Sequence, residues 1–257
     1  MQKFLITITV LLLICALVCV DGQRNRGRGR GRNRKPKGSC HLKEIDQCIG
    51  RLDKYNSNNS SKLLTTSRGL DEICTNSLDV VTCFRNYMTK CGTPLQRELF
   101  EFAIEQFSKS IDQFCKPGPL REEFLRNSPC IVNRVISKSN YKDKCVNNFL
   151  STIDKTNKLK EMDDRLDTIC CSYNRWEGCV FNLIEKECTE KGKIAMQNFI
   201  DKAFGGLTNL ICSSNAFDPA SQRCTSLYAA PGARPKGKLS DNPVTKYIAS
   251  YFGFLFT

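Results

Sequence analysis

The 257-residue chain has very little histidine, since His41 is its only one. A catalytic triad or dyad that needs an imidazole can use only this residue. It lies beside Cys40 at the edge of the cysteine-rich region, where a surface role is the favoured interpretation. The chain also has no Cys-x-x-Cys pair and no glycine-rich phosphate loop, so it lacks the usual marks of zinc and nucleotide sites. We expect a protein that is not an enzyme and uses no metal or cofactor.

Charge is nearly absent from residues 1–22, where Lys3 and Asp21 flank an apolar run. This pattern predicts a secretory signal peptide cleaved after Gly22, with Val20 two places before the cut. The alternative is a membrane anchor, for which the run is barely long enough. The basic stretch behind it would then leave the later cysteines in reducing cytosol, where disulfides are rare. We therefore favour a secreted, extracellular protein.

Cysteine is abundant once the signal peptide is removed. Fourteen of the 16 cysteines follow residue 22. An even number in an oxidising compartment predicts seven disulfides, whose pairing the sequence leaves open. The fourteen are Cys40, Cys48, Cys74, Cys83, Cys91, Cys115, Cys130, Cys145, Cys170, Cys171, Cys179, Cys188, Cys212 and Cys224.

Five of these cysteines recur further along the chain at offsets of 96 or 97 residues, counted from the sequence. The stretch LDEIC (Leu70–Cys74) likewise matches LDTIC (Leu166–Cys170). This periodicity predicts a tandem duplication, with unit one at residues 40–129 and unit two at residues 130–224. Four cysteines lie outside the shared five and are expected to close each unit or to tie the units together; they are Cys40, Cys130, Cys171 and Cys224.

Strand patterns are scarce, and apolar residues recur at helical spacing, so the predicted fold class is all-α. The sequence TPLQ at Thr93–Gln96 predicts the start of a helix. Cysteines far apart on one helix cannot pair, so the bridges should join different helices of two small cores. The predicted inner face of this helix is Leu99, Phe102, Ala103, Phe107, Ile111 and Phe114, and its counterpart in unit two is Met196, Phe199, Ile200, Ala203, Phe204, Leu207 and Ile211.

The cysteine rhythm C-x8-C-x7-C-x23-C of unit one and the stretch CCSYNRWEGCVFNLIEKEC (Cys170–Cys188) resemble a known group of proteins. They are similar to the secreted cysteine-rich helical proteins of arthropods and nematodes, the group of the insect 27 kDa haemolymph glycoprotein. The resemblance extends from Cys40 to about Cys224. It implies an extracellular helical protein and carries over no catalytic residues.

The net charge of +13 is unevenly distributed. Counting charged residues, segment 23–39 contributes +8, segment 225–257 contributes +3, and the body at 40–224 only +2. Segment 23–39 is predicted to be a disordered arm, in which alternate arginines would be about 6.7 Å apart when extended. Its predicted polyanion-binding residues are Arg24, Arg26, Arg28, Arg30, Arg32, Arg34, Lys35 and Lys37.

Such an arm suits a sulfated polysaccharide or an anionic lipid surface, because guanidinium groups bind sulfate and phosphate through paired hydrogen bonds. Predicted secretion removes intracellular nucleic acid from the partners. The alternative is a solubilising tail or a propeptide that is processed away.

Three further features concern the surface and the interior. Asn58 and Asn59 both begin glycosylation sequons, of which one is expected to be used. Segment 225–257 reads as a disordered basic linker followed by an apolar aromatic tail, for which folding back, surface contact and a GPI-attachment signal are the alternatives. Trp176, near Tyr173 and Phe181, either lines a pocket for a small apolar ligand or packs in the core, which is the favoured interpretation.

Together these patterns predict a secreted, non-enzymatic binding or matrix protein of the haemolymph type, whose basic arm docks on extracellular polyanions. The alternative is a host-defence or toxin-like protein that acts on anionic membranes.

Overall fold

The computed structural model describes residues 60–236, apart from 157, 160 and 203–211, together with residues 40, 44, 47 and 48. These residues form helices and no strand, which confirms the predicted all-α class. The helices are α1 (Ser67–Cys91), α2 (Pro94–Cys115), α3 (Pro119–Cys130), α4 (Ser139–Tyr141), α5 (Asn147–Thr156), α6 (Met162–Ile200) and α7 (Gln222–Thr225). A 3-10 helix precedes α1 (Ser60–Thr65), and π-helical segments lie on either side of α4 (Ile131–Ile136 and Lys142–Val146).

Helix α1 begins directly after Thr66, its N-cap residue. The hydroxyl oxygen of Thr66 accepts a hydrogen bond of 3.1 Å from the backbone N–H of Gly69. This N-cap satisfies one of the free N–H groups of the first turn. The buried side chains of α1 recur at helical spacing and include Leu70, Val80, Phe84 and Met88. The helix ends at Cys91, and α2 begins at Pro94, the position that the sequence predicts.

The predicted inner face of α2 is wrong at one position. Phe102 is 50% exposed, whereas Phe100 and Ile104 are fully buried. The spacing of four residues places the latter pair on one stripe, and Phe102 lies about 200° around the helix from Phe100. Of the other predicted positions whose side chains the structure describes, Phe114 in α2 and Met196, Phe199 and Ile200 in α6 are buried as expected.

A buried arginine joins the first three helices. The Arg121 guanidinium, in the first turns of α3, donates to the carbonyl oxygen of Cys115 at 2.6 Å and to that of Ser67 at 3.0 Å. It also donates to Oδ1 of Asp71 at 2.6 Å. Because burying a charged group is costly unless it is hydrogen-bonded, this set of acceptors is what makes the position tolerable for arginine.

Helix α6 is two helices joined at a kink. Thr189, inside α6, has the non-helical backbone angles φ 69° and ψ 170°. The chain therefore turns directly after Cys188, as it does after Cys91 between α1 and α2. Residues 162–188 and 190–200 thus follow one another as α1 and α2 do, with a turn directly after a cysteine between them.

One core runs through both units, in contrast to the two separate cores that the sequence predicts. A single cluster of buried side chains includes residues of α1, α2, α3, α5 and α6. At the junction the ring centroids of Phe114, Phe124 and Phe199 are 4.5–5.1 Å apart. Aromatic rings at this separation stabilise a junction beyond the area that they bury.

Seven disulfides connect the fourteen cysteines, with Cα–Cα distances of 4.8–5.9 Å that suit the bond. The pairs are Cys40–Cys91, Cys48–Cys83, Cys74–Cys115, Cys130–Cys188, Cys145–Cys179, Cys170–Cys212 and Cys171–Cys224. Across the described residues each bridge stays within one unit, so Cys40, Cys130, Cys171 and Cys224 close the units and do not tie them together. Every bridge joins different segments, as the spacing predicts.

Candidate binding surfaces of unit two

Residues 212–236, which we call the strap, lie across the helices of unit two. The adjacent residues Cys170 and Cys171 on α6 hold the strap through two disulfides, to Cys212 and Cys224. Around these bridges is a second apolar cluster to which Phe217 contributes. Two bridges from neighbouring positions leave the strap little freedom to move away from α6.

Hydrogen bonds from α6 and α5 fix the strap backbone. The buried amide of Asn174 donates to the carbonyl oxygens of Cys212 at 3.2 Å and of Phe217 at 2.9 Å. The Lys155 ammonium donates to the carbonyl oxygens of Leu227 at 2.6 Å and of Tyr228 at 3.1 Å. These side chains satisfy backbone carbonyls that no regular secondary structure would satisfy.

The strap extends further than the sequence predicts. Ser151 donates to the carbonyl oxygen of Ala233 at 2.8 Å, and the backbone N–H of Lys236 donates to Asp154 at 2.5 Å. Residues 225–236, predicted to belong to a disordered linker, are therefore part of the folded unit. The physical reason is a long-range contact, because polar side chains of α5 meet the free backbone groups of this proline- and glycine-containing segment. The remainder of the predicted tail lies outside the described residues.

Two arginines cover aromatic rings at the surface of the strap. Arg175 lies 4.2 Å from the ring centroid of Tyr228, and Arg223 lies 4.9 Å from that of Phe217. The Arg223 guanidinium also donates to both carboxylate oxygens of Asp167 at 2.6 Å. These cations are thus engaged within the molecule, which makes them poor candidates for binding an external anion.

Aromatic side chains, some with polar groups, surround Trp176 of α6, which is 4% exposed. Its ring packs against Phe149 at 6.0 Å and Tyr173 at 5.9 Å between centroids, which confirms the core-packing interpretation. Burial raises the pKa of the Tyr141 hydroxyl, and the nearby indole N–H opposes this shift. Within the described part of the chain, however, the indole nitrogen makes no hydrogen bond of good geometry.

Glu177 lies at the edge of this cluster and accepts a hydrogen bond of 2.9 Å from the Tyr173 hydroxyl. Burial is the largest cause that raises the pKa of this carboxyl, and the negative charge of Asp201 adds to it. The Tyr173 hydrogen bond acts in the opposite direction. The carboxyl therefore holds its proton more tightly than a free glutamate does.

A basic corner is formed by residues 131–146, which begin directly after Cys130 and include Cys145. Its cations are Arg134, Lys138, Lys142 and Lys144, and all four are exposed. Among the ion pairs of the described residues, none includes any of the four. Sequence reasoning missed this corner, although a charge count restricted to the body would have found it.

The other sequence-predicted site residues lie elsewhere. The arm residues from Arg24 to Lys37 and the sequons at Asn58 and Asn59 are outside the described residues. Across the part of the chain that the structure does describe, no group of three or more histidine, cysteine, aspartate or glutamate side chains is arranged to hold a metal ion. In that same part, every helix is too short or too polar to cross a membrane.

Comparison with known proteins gives one informative similarity. No protein-family model matches the chain, and no solved structure matches it. Protein aaim-1 of Caenorhabditis elegans is similar to it, with 25% identity over 159 residues. The aligned region is 58% of this chain and 30% of the nematode protein, so the chain spans less than a third of that relative.

Proposed function

We propose that this chain is a secreted, non-enzymatic extracellular protein of the binding or matrix type, whose arm (residues 23–39) docks on polyanions. The observation that carries the proposal is the segregation of charge. The arm holds +8 of the net +13, whereas the body at 40–224 holds +2, by count from the sequence. Seven disulfides support the location, since such density is typical of proteins that fold in an oxidising compartment.

The arm suits a repeating anion because its cations alternate with small or neutral residues. Arginine binds sulfate and carboxylate through a planar fork of donors. Eight cations on one segment make binding steeply dependent on salt and nearly indifferent to ligand sequence. The segment contains no aromatic residue, so nucleobase stacking has no support. A glycan at Asn58 or Asn59 and an origin by duplication belong to the same proposal, and the matched disulfides of the two units support the duplication.

Heparin chromatography of the secreted protein tests the role of the arm. We compare the natural chain with a variant in which the eight cations from Arg24 to Lys37 are changed to glutamine. The variant should elute at clearly lower salt, because it loses the counterion release that drives such binding. Elution of both proteins at the same salt would overturn the proposal.

The alternative is a host-defence or toxin-like protein, favoured by the basic arm together with the aromatic run YIASYFGFLF at Tyr247–Phe256. An apolar segment combined with cations is what binding to an anionic membrane requires. Dye leakage from vesicles of equal parts phosphatidylcholine and phosphatidylserine distinguishes the two. Leakage that depends on the arm would favour this alternative over docking on polysaccharide.

A further inference from the structure

We propose that the basic corner (residues 131–146) is a second polyanion site on the folded body and that its ligand is a sulfated polysaccharide chain. The inference rests on the proposed function for the class of ligand. It is independent of the arm, which lies outside the described residues. Four observations carry it: the concentration of charge, the rigid support, the chemistry of the exposed side chains, and the contrast with unit one.

The corner accounts for the net positive charge of the body. Arg134, Lys138, Lys142 and Lys144 are opposed within the segment only by Asp143, which makes +3 by count from the sequence. Since the body at 40–224 is +2, everything outside the corner sums to −1. A local excess of one sign on a nearly neutral body raises the concentration of the opposite ion at that place.

The corner is held rigidly. Cys130 and Cys145, at its two ends, are bonded to Cys188 and Cys179 of α6. Its apolar side chains are buried in the common core; they are Ile131, Val132, Val135, Ile136, Tyr141 and Val146. A site whose cations project from a fixed backbone loses less conformational entropy on binding than a disordered arm does.

The backbone of the corner is unusual. Pro129, in the last turn of α3, removes one backbone donor, and the ladder then widens to π geometry. The N–H of Ser137 accordingly donates to the carbonyl oxygen of Val132, five residues back, at 2.9 Å. The π-helix is rare and frequently occurs at functional sites. Here the wider turn leads into the exposed loop that carries Lys138.

The exposed side chains of the corner select among anionic ligands. Besides the charged residues they are Asn133, Ser137, Ser139 and Asn140, all able to hydrogen-bond to sulfate or sugar hydroxyl groups. The apolar side chains point into the core, so the corner offers nothing to insert among lipid chains. Its single aromatic residue, Tyr141, is buried and cannot stack on a base. A sulfated polysaccharide fits this combination better than a membrane or a nucleic acid.

Unit one provides the contrast. Seven residues separate Cys40 from Cys48, whereas fourteen separate Cys130 from Cys145. The shorter segment HLKEIDQ carries a net charge of −1, with His41 neutral. The additional length and the reversal of charge therefore occur together, at the same place between matched cysteines.

The test uses the full chain and heparin. The corner variant changes Arg134, Lys138, Lys142 and Lys144 to glutamine. The control variant makes the same charge change outside the corner, at four exposed cations that the ion pairs of the described residues do not include, so it measures the effect of net charge alone; they are Arg97, Lys158, Lys186 and Lys191. Circular dichroism and thermal melting establish that each variant is folded. At a fixed salt concentration we expect the corner variant to bind about tenfold more weakly than the control, with a shallower dependence on salt.

A second variant tests the site in the opposite direction. Asp143→Asn removes the one acid of the corner and should strengthen heparin binding severalfold. Equal affinity of the corner and control variants, or no gain from Asp143→Asn, would overturn the corner site. Failure of the arm variant alone would overturn the proposed function and leave this site standing. The binding of the corner variant to the phosphatidylserine vesicles is measured as well. A loss of vesicle binding as large as its loss of heparin binding would overturn the assignment to polysaccharide.

Discussion

Units one and two share a scaffold and differ in what is attached to it. The bridges Cys48–Cys83 and Cys145–Cys179 have sequence separations of 35 and 34. Cys74–Cys115 and Cys170–Cys212 have separations of 41 and 42. The third pair, Cys40–Cys91 and Cys130–Cys188, differs by seven, at 51 and 58. This difference of seven residues comes from the basic corner, since fourteen residues separate Cys130 from Cys145 and seven separate Cys40 from Cys48.

The strap is the second addition to unit two. Asn174, which holds the strap by two hydrogen bonds, corresponds to Leu78 at an offset of 96. Leu78 is 46% exposed; after Cys115 the chain of unit one continues into α3, whose Arg121 contacts α1 near its start, at Ser67 and Asp71. Comparable helices and bridges thus support different surfaces, and the surfaces specific to unit two are where binding should be sought.

The largest effect expected concerns a matched pair of bridges. Cys48→Ala with Cys83→Ala, and Cys145→Ala with Cys179→Ala, open loops of nearly equal length. Each double variant should lose about 4 kcal/mol of the free energy of unfolding, because loop closure in the unfolded chain depends on loop length. Urea denaturation of both measures the losses. A large loss for one and none for the other would break the equivalence of the units.

The start of the long helix in each unit allows a second test. A Cβ atom on Gly69 would lie 2.2 Å from the carbonyl oxygen of Leu63, six residues earlier. In unit two the matching residue is Arg165, whose Nε donates to the carbonyl oxygen of Leu159, also six residues earlier, at 2.7 Å. In both units the segment before the long helix packs against the first turn of that helix. In unit one the contact is between backbones, at Leu63 and Gly69, and in unit two it is made by the Arg165 side chain.

Gly69→Ala should therefore destabilise the protein by about 1–3 kcal/mol, as overpacking does. Gly178→Ala is the matched control, since nothing lies within 4 Å of an added Cβ there. That change in a helix interior should stabilise by about 0.5–1 kcal/mol. Thermal melting of both variants decides the matter, and equal effects would remove the steric role assigned to Gly69.

Much of the shared scaffold is predictable from the sequence, and the additions are less so. The capping residues at Thr93 and Pro94 are a local signal, and they place the start of α2 correctly. The exposure of Phe102 is set by how α2 rotates against its neighbours, which helical periodicity defines only to within a stripe.

The strap and the continuous core depend on contacts between distant parts of the chain. Lys155 meets the carbonyl oxygens of Leu227 and Tyr228 more than seventy residues later. Phe114 likewise meets Phe199 across the two units. Neither contact leaves a periodic signal, because each involves a single side chain at a position that only the tertiary fold defines.

The turn after the fourth shared cysteine, Cys91 or Cys188, gives a smaller effect. Thr189 has φ 69° and ψ 170°, a conformation that is nearly restricted to glycine, and its counterpart in unit one is Gly92. Thr189→Gly should stabilise the protein by about 1 kcal/mol, since relief of strain exceeds the entropy cost of glycine. Gly92 has φ −73°, but a Cβ there would lie 2.8 Å from the carbonyl oxygen of Met88, so Gly92→Thr should destabilise. Chemical denaturation measures both, and a loss of stability in Thr189→Gly would contradict the strained turn.

The smallest effect concerns Glu177, whose counterpart in unit one is the buried Val81 at an offset of 96. Since burial raises the pKa of this carboxyl above its ordinary 4.5, the folded state binds the proton more tightly than the unfolded state. Its ionisation therefore costs stability, and this cost grows as pH rises from that ordinary value through the raised pKa. Glu177→Gln keeps an oxygen acceptor for the Tyr173 hydroxyl and removes this cost.

The variant should accordingly melt at a slightly higher temperature than the natural chain at pH 7. The difference should shrink as pH falls towards 4.5, where the glutamate itself becomes neutral. Glu187→Gln, at an exposed position of α6, serves as the control for loss of one negative charge. A gain in melting temperature that stays constant with pH, or that the control reproduces, would contradict this prediction. The ionised Glu177 would then cost unit two no stability relative to the apolar Val81 of unit one.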